Sequence, residues 1–254
     1  MRKIELSIIV PCYNEERNIR LGVLDHIDAY LRKVKYSYEV IIVDDGSTDE
    51  TLHLLTDFIS EHPKFKVIKS RHGGKALAVI SGMNEGKGDY LLFCDMDQAT
   101  PLPEWEKLHP FFEKNYDVVI GSRRDIRQGA PRFRVIMAKG FMILRNIILD
   151  LGITDTQCGF KAFKSDAART ILNRLVYYKG ERSVRGSTVT AGFDVELLFI
   201  AKELGYKISE VPIDWHYQET RRVSPVKDSL EGFAALLRIK FNSLRGYYSK
   251  KTQI

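Results

Sequence analysis

The chain has 254 residues, 44% hydrophobic and 28% charged, which is enough apolar sequence for one large core or two small ones and excludes a disordered chain. A formal charge of +6 favours an anionic partner, whether nucleotide, nucleic acid or anionic membrane, without choosing among them. Cys12, Cys94 and Cys158 are odd in number and lack CxxC spacing, so neither a disulfide framework nor a zinc site is indicated, and a reducing, cytoplasmic compartment fits best.

In chain order, residues 6–10 form a short apolar run before Pro11, too brief for a secretory leader and suited to a buried strand. Asn14 is placed to cap a helix with Glu15 and Glu16 in its first turn and Val23, Leu24, Ile27 and Leu31 on one face. A second strand spans 38–43. Ser47 and Glu50 have capping-box spacing, so a second helix begins just past Asp44 and Asp45, with Ser47 as its cap. Residues 65–69, 90–94 and 118–120 read as further strands. This alternation predicts an α/β fold around a mostly parallel sheet flanked by helices. Beyond Gly121 the pattern turns helical, most clearly over 195–204 and 230–244. The division expected is a nucleotide-binding half, 1–125, and an acceptor half, 126–254, within one continuous domain.

Polar clusters follow the strands: Pro11-Cys12-Tyr13-Asn14-Glu15, Asp44-Asp45-Gly46-Ser47, Asp95-Met96-Asp97 and Gly121-Ser122-Arg123. In open parallel sheets ligands bind at the strands' carboxyl ends, so these clusters are expected to line one crevice. Asp95 and Asp97 are spaced so that both could reach a hard divalent cation, Mg²⁺ or Mn²⁺, that also takes phosphate oxygens. Turn chemistry alone would also place aspartates there. Asp45 offers an acceptor for a base N–H or ribose hydroxyls, or merely ends a strand. Gly73-Gly74-Lys75 is not a Walker motif, because Lys69 and Ala76 stand at two of its required positions, and no GxGxxG follows the first strand.

Arg123, Arg124, Arg127, Arg132 and Arg134 surround a single acid, Asp125, which suits phosphate groups or a solvated basic loop. Nucleic acid is disfavoured, since no recognition motif accompanies the cluster. The tract 135–153 is interrupted by Lys139, Arg145 and Asp150, so no bilayer-spanning helix is expected. Residues 133–151 and 230–248 nonetheless mix bulky apolar and basic side chains. Such helices pack against a protein body or lie on an anionic membrane, here its cytoplasmic face.

In their order and spacing these clusters, with Gly74-Lys75, Gln157-Cys158-Gly159-Phe160-Lys161, Phe193-Asp194-Val195-Glu196 and Glu210-Val211-Pro212, resemble family 2 glycosyltransferases, and among them the dolichyl-phosphate and polyprenyl-phosphate sugar synthases. The resemblance covers about Leu6 to Leu230. It implies a GT-A fold, inversion at the anomeric carbon, a nucleotide-sugar donor and a dolichyl or polyprenyl phosphate acceptor. By position, Pro11, Tyr13, Glu15 and Asp45 would hold the nucleoside, Asp95 and Asp97 the metal, and Arg123 phosphate groups. Lys75, Arg132, Arg134 and Arg222 would add substrate contacts. Asp97, Arg123 and Asp194 are the expected catalytic residues, with Asp194 either a carboxylate near the acceptor or a helix cap. Asp95-Met96-Asp97-Gln98-Ala99-Thr100 is closer to the glucosyl branch than to the mannosyl branch, which favours UDP-glucose or another UDP-sugar over GDP-mannose. The alternatives are a GDP-mannose-dependent dolichyl-phosphate mannose synthase and a family 2 enzyme acting on a soluble sugar or polysaccharide. Ala76 and Thr220-Arg221-Arg222 depart from the usual glycine and Gly-Ser-Lys of relatives.

Overall fold

The structure, a computed structural model, describes residues 3–123, 132–176, 191–216 and 225–248, with the side chains of 132–139, 191 and 225–230 left aside. Its centre is a seven-stranded sheet of β1 (Leu6–Cys12), β2 (Tyr38–Asp44), β3 (Phe65–Lys69), β4 (Tyr90–Phe93), β5 (Val118–Ser122), β6 (Lys161–Lys164) and β7 (Ile208–Pro212). The spatial order is β3-β2-β1-β4-β6-β5-β7. Strands β1 to β4 pair in parallel, as does β5 with β7, while β6 runs antiparallel between β4 and β5. The sheet is therefore mostly parallel, as the alternating pattern requires, with one reversed strand that the sequence did not announce. Two of its strands, β6 and β7, come from beyond residue 125.

Helices cover both faces: α1 (Glu16–Arg20), α2 (Val23–Leu31), α3 (Thr51–Glu61), α4 (Lys75–Glu85), α5 (Trp105–Glu113), α6 (Arg132–Leu149), α7 (Ser165–Asn173), α8 (Ala191–Glu203) and α9 (Pro225–Leu244). Alternate residues of each buried strand feed two cores. Ile9, Ile41, Val43, Leu91 and Phe93 join residues of α4, α7, α8 and α9. Ile8, Val10, Val40, Ile42 and Leu92 join residues of α2 and α5 on the opposite face.

Two expected caps are corrected. Asn14 has φ 54°, and α1 begins at Glu16 with no side-chain cap. The Asn14 side chain instead accepts the Thr48 N–H at 2.8 Å, and the Asn14 backbone N–H donates to Ser47 Oγ at 2.9 Å. Ser47 therefore does not cap α3, which starts four residues later with the Thr51 N–H on Asp49 Oδ1 at 3.0 Å. Thr51 Oγ1 in turn accepts the Glu15 N–H at 2.8 Å. Polar side chains suited to helix ends are used to lock the β1–α1 loop to the β2–α3 loop. The single helix expected after Glu15 is also broken, at Gly22 with φ 80°, into α1 and α2.

Candidate active site

The loops leaving β1, β2, β4 and β5 lie at the carboxyl ends of interior strands of the sheet. Asp45 follows β2 and is 2% exposed. Its two oxygens accept the N–H groups of Gly73 and Gly74, each at 2.8 Å. Gly74, at φ 85° and ψ 168°, turns the chain into α4, a conformation that side chains rarely adopt. The glycine pair thus cradles a carboxylate of the protein itself. His72, on the same loop, brings Nδ1 to 2.9 Å from Asp45 and stacks on Tyr13, with ring centroids 4.1 Å apart. Tyr13 and Asp45 thereby border one aromatic shelf, and His72, not anticipated from the sequence, joins them. Pro11 lies two residues before Tyr13, within β1.

Lys75 opens α4 and pairs with Asp95. Burial works against its charge, but Asp95 and Asp194 hold the ammonium above its usual range. Ala76 behind it is buried against the sheet, so the methyl replacing a glycine is part of the core. Asp95 and Asp97 lie in a tight loop closed by Gln98, whose Nε2 donates to the Asp95 carbonyl at 3.0 Å and whose Oε1 accepts the Leu102 N–H at 3.0 Å. One oxygen of Asp97 takes the Ala99 N–H at 3.0 Å. Burial and the neighbouring Asp95 push the Asp97 carboxyl upward. Glu15 is raised further, to about 7, by burial and then by Asp97, Asp95 and Asp49.

This concentration of carboxylates is what a divalent cation would relieve, and their hard oxygen donors suit Mg²⁺ or Mn²⁺. Among the described residues no group of three His, Cys, Asp or Glu could hold a metal alone. Asp95 and Asp97 would thus be two protein ligands in a shell completed by phosphate oxygens and water. The reversed strand β6 brings its beginning to the same place. A Cβ on Gly159 would fall 2.0 Å from Asp95 Oδ2, so only glycine lets that segment pass the carboxylate.

Arg123 follows β5 and forms a two-pronged ion pair with Asp155, Nε and Nη2 each at 2.7 Å, with the Trp215 ring 5.6 Å away. Asp194 lies inside the first turn of α8 rather than at its cap. Its Oδ1 is 2.6 Å from Nζ of Lys161, a fully buried lysine that also donates to the Cys158 carbonyl. Tyr13, Glu15, Asp45, Lys75, Asp95, Asp97, Arg123 and Asp194 thus form one connected neighbourhood. Arg132 and Arg134 start α6, but their side chains, like all of Arg222, lie outside the described residues. Lys161 sat unassigned in a recognised motif. Asp155 and Glu210 carry no local signal of their partners, which are 32 and 55 residues away.

Away from the crevice, α6 and α9 pack together at Phe141 and Gly232. They leave Ile143, Leu144, Ile147, Phe233, Leu237, Phe241 and Leu244 exposed. No described helix is long and apolar enough to cross a membrane.

Comparison with known proteins gives a consistent picture. Residues 7–172 match the family described as glycosyl transferase family 2. Over 98% of its length the chain is 33% identical to a dolichyl-phosphate beta-glucosyltransferase of Dictyostelium discoideum, covering 78% of that protein. A Drosophila melanogaster protein of the same name is 34% identical over 87% of the chain and 70% of its own length. Among solved structures, glucosyl-3-phosphoglycerate synthase from Mycobacterium tuberculosis, in complex with Mn2+, uridine-diphosphate and glucosyl-3-phosphoglycerate, superposes with a TM-score of 0.64. It is 20% identical, over 94% of this chain and 80% of that one. At that identity the likeness speaks for the fold, GT-A, and not for the substrate.

Proposed function

The chain belongs to glycosyl transferase family 2 and is a glycosyltransferase, and from that premise we propose that it transfers glucose from UDP-glucose, with inversion, to the phosphate of a dolichyl or polyprenyl phosphate. The names of its relatives and the glucosyl-like Asp95 to Thr100 segment support the donor. The loops after β1, β2 and β4 serve the donor, and Arg123 together with residues 126–254 serves the acceptor.

The observation that carries the acceptor assignment is the pairing of Asp194 with buried Lys161. A sugar hydroxyl must lose its proton as it attacks, and a general base contributes about 10² to 10⁴ in rate. A carboxylate that compensates a buried ammonium is poorly suited to take that proton. A phosphate monoester, with its second pKa near ~6, is largely dianionic at neutral pH and needs no base. Its oxygen attacks the anomeric carbon, the bond from that carbon to the diphosphate oxygen breaks, and the electron pair leaves with the nucleoside diphosphate. Lys75 is placed to meet the charge on that leaving group, and Arg123 to orient phosphate. Tyr13 offers a ring for the base, and Asp45 keeps the glycine loop and His72 in place around it. A divalent cation on Asp95 and Asp97 would supply further neutralisation of the diphosphate.

The apolar strips of α6 and α9 accompany exposed Arg238, Lys240 and Arg245. This combination supports peripheral seating on an anionic, cytoplasmic membrane surface, where each basic residue contributes on the order of 1 kcal/mol. The deciding experiment incubates the chain with a panel of nucleotide sugars and with polyprenyl phosphates or the corresponding alcohols, with Mg²⁺, Mn²⁺ or chelator, and weighs the products. Glucosyl phospholipid from UDP-glucose and a divalent cation is the expected product. Transfer to an alcohol or soluble sugar and none to phosphate would refute the assignment.

A further inference from the structure

We propose that Asp155, carried on a segment that Arg145 and Glu210 both hold, is the positioning residue that sets the Arg123 guanidinium for phosphate, and that this hold ties Arg123 to the helix bearing the apolar face. The inference rests on the reading above, that Arg123 meets a phosphate.

Asp155 makes three bonds to one residue. It accepts the backbone N–H of Arg123 at 3.0 Å as well as Nε and Nη2. Both the chain leaving β5 and the plane of the guanidinium are thereby fixed, and a phosphate is met by the edge that Asp155 does not occupy. Burial opposes ionisation of Asp155, but the Arg123 hydrogen bonds and charge outweigh it and bring the carboxyl to about 2. The pair is therefore charged throughout the neutral range.

The 153–156 segment that carries Asp155 has no regular structure of its own, and charged groups hold it on two sides. Glu210 on β7 accepts the Thr154 N–H at 2.7 Å, the Thr154 hydroxyl at 2.9 Å and the Asp155 N–H at 2.8 Å. Arg145 on α6 donates to Thr156 Oγ1 at 2.6 Å, to the Ile153 carbonyl, and to the Thr154 carbonyl at 3.3 Å. Consecutive peptide groups thus give their N–H bonds to an anion and their carbonyls to a cation.

Arg145 is 2% exposed, and its hydrogen-bond partners among the described residues are neutral oxygens. The carboxylates of Glu210 and Asp155 support its charge from nearby, yet burial outweighs them and lowers the guanidinium from its usual range, and an apolar side chain of similar size commonly stabilises a fold as well or better. The arrangement makes sense as a means of placing the segment. Its neighbours on α6, Ile143 and Ile147, point outward and are 55% and 75% exposed. One helix therefore presents its apolar side to the surroundings and its buried cation to the segment that fixes Arg123. A lipid phosphate arrives at a height set by the membrane, and such a linkage would hold the receiving arginine in register with it.

A mutant cycle on the full chain tests this. Asp155→Asn, Glu210→Gln and the shape-conserving Thr156→Val are each made with Arg123 present and with Arg123→Ala, and kcat and KM are measured with UDP-glucose and a short polyprenyl phosphate. With Arg123 present, Asp155→Asn and Glu210→Gln should lower kcat/KM for the acceptor on the order of 10-fold, because small misplacements of a positioning group are costly. Thr156→Val should have a smaller effect in the same direction. In the Arg123→Ala background the same changes should matter by less than about twofold, since no guanidinium remains to be placed. Equal losses in both backgrounds, or none in either, overturn the inference. If Asp155→Asn fails to fold, Thr156→Val decides by the same criterion. Absence of transfer to any phosphate by the unaltered chain overturns the functional reading, and this inference with it.

Discussion

Around Asp45, both carboxylate oxygens take backbone N–H groups and a histidine, and the surrounding loops are cross-bonded through Asn14, Ser47 and Thr51. On α6 and α9, by contrast, Ile147 and Leu244 are 75% and 76% exposed, and Ile143, Leu237 and Phe241 beside them are exposed as well. The first region is preorganised, because hydrogen bonds fixed before a ligand arrives need not be formed at the moment of reaction. On the membrane seating proposed above, the second is matched to a medium rather than to a molecule. Lipid asks for apolar area and basic charge but not for fixed hydrogen-bond geometry. Substitutions in the donor region should therefore act through shape and charge at particular atoms, and those on the helical face through total area.

The largest expected effect sharpens this contrast. Asp97→Asn keeps the side chain's outline and its bond from Ala99, yet should cut kcat by about 10² to 10³ in a protein whose circular dichroism is unchanged, since it removes charge where the proposed mechanism would seat a diphosphate-bound cation. Near-normal turnover would remove Asp97 from the catalytic set. Next, Ile147→Glu with Leu244→Glu should weaken flotation with anionic vesicles by about tenfold or more, given roughly 1.5–3 kcal/mol for each large apolar side chain buried. Turnover of a short, water-soluble acceptor should stay unchanged. Equal loss on both acceptors would mean that the face serves the fold.

A smaller effect on rate, with a larger one on stability, is expected at Asp194. Asp194→Asn leaves Lys161 buried without its carboxylate, and breaking a buried pair costs about 3–5 kcal/mol, so denaturant midpoints should fall. The folded fraction should nonetheless retain substantial turnover if the acceptor is a phosphate dianion. Abolished transfer in folded protein would restore Asp194 as a general base.

The smallest effect concerns Glu15. Its folded value of about 7 lies above the ordinary 4.5 of a glutamate, so between those two pH values the folded state binds more protons than the unfolded one. Stability of the metal-free protein should consequently fall as pH rises through that window. Glu15→Gln should flatten the dependence, as read from urea midpoints at pH 5 and pH 7.5. An unchanged slope would show that other groups dominate.

Most strands and their polar ends were legible because each is a short run of branched apolar residues closed by turn chemistry, as at 6–10 and 38–43. The misreadings share a cause. Asn14 and Ser47 have the local chemistry of helix caps, but residues 33 and 34 positions apart compete for them, and no window of sequence contains both partners. Strand β6 escaped for a related reason: it is four residues long and begins with a lysine that is wholly buried beneath Asp194. Within the site, the carboxylates of the loop after β4 could be named from spacing. The pairing of Arg123 with Asp155, and the hold of Arg145 and Glu210 on that segment, depend on how distant strands are laid side by side.

The position of β6 also bears on how the chain reaches this state. Strands β1 to β4 lie within the first 93 residues and can associate as they are made, but the free side of β4 waits for residues 161–164. Until then a row of unpaired backbone groups stands at the edge of an apolar sheet, open to the strand of another chain. Synthesis halted short of β6 would therefore yield a fragment whose hazard is self-association. The same late-arriving strand, which follows directly on the segment that passes Asp95 at Gly159, also ends that exposure.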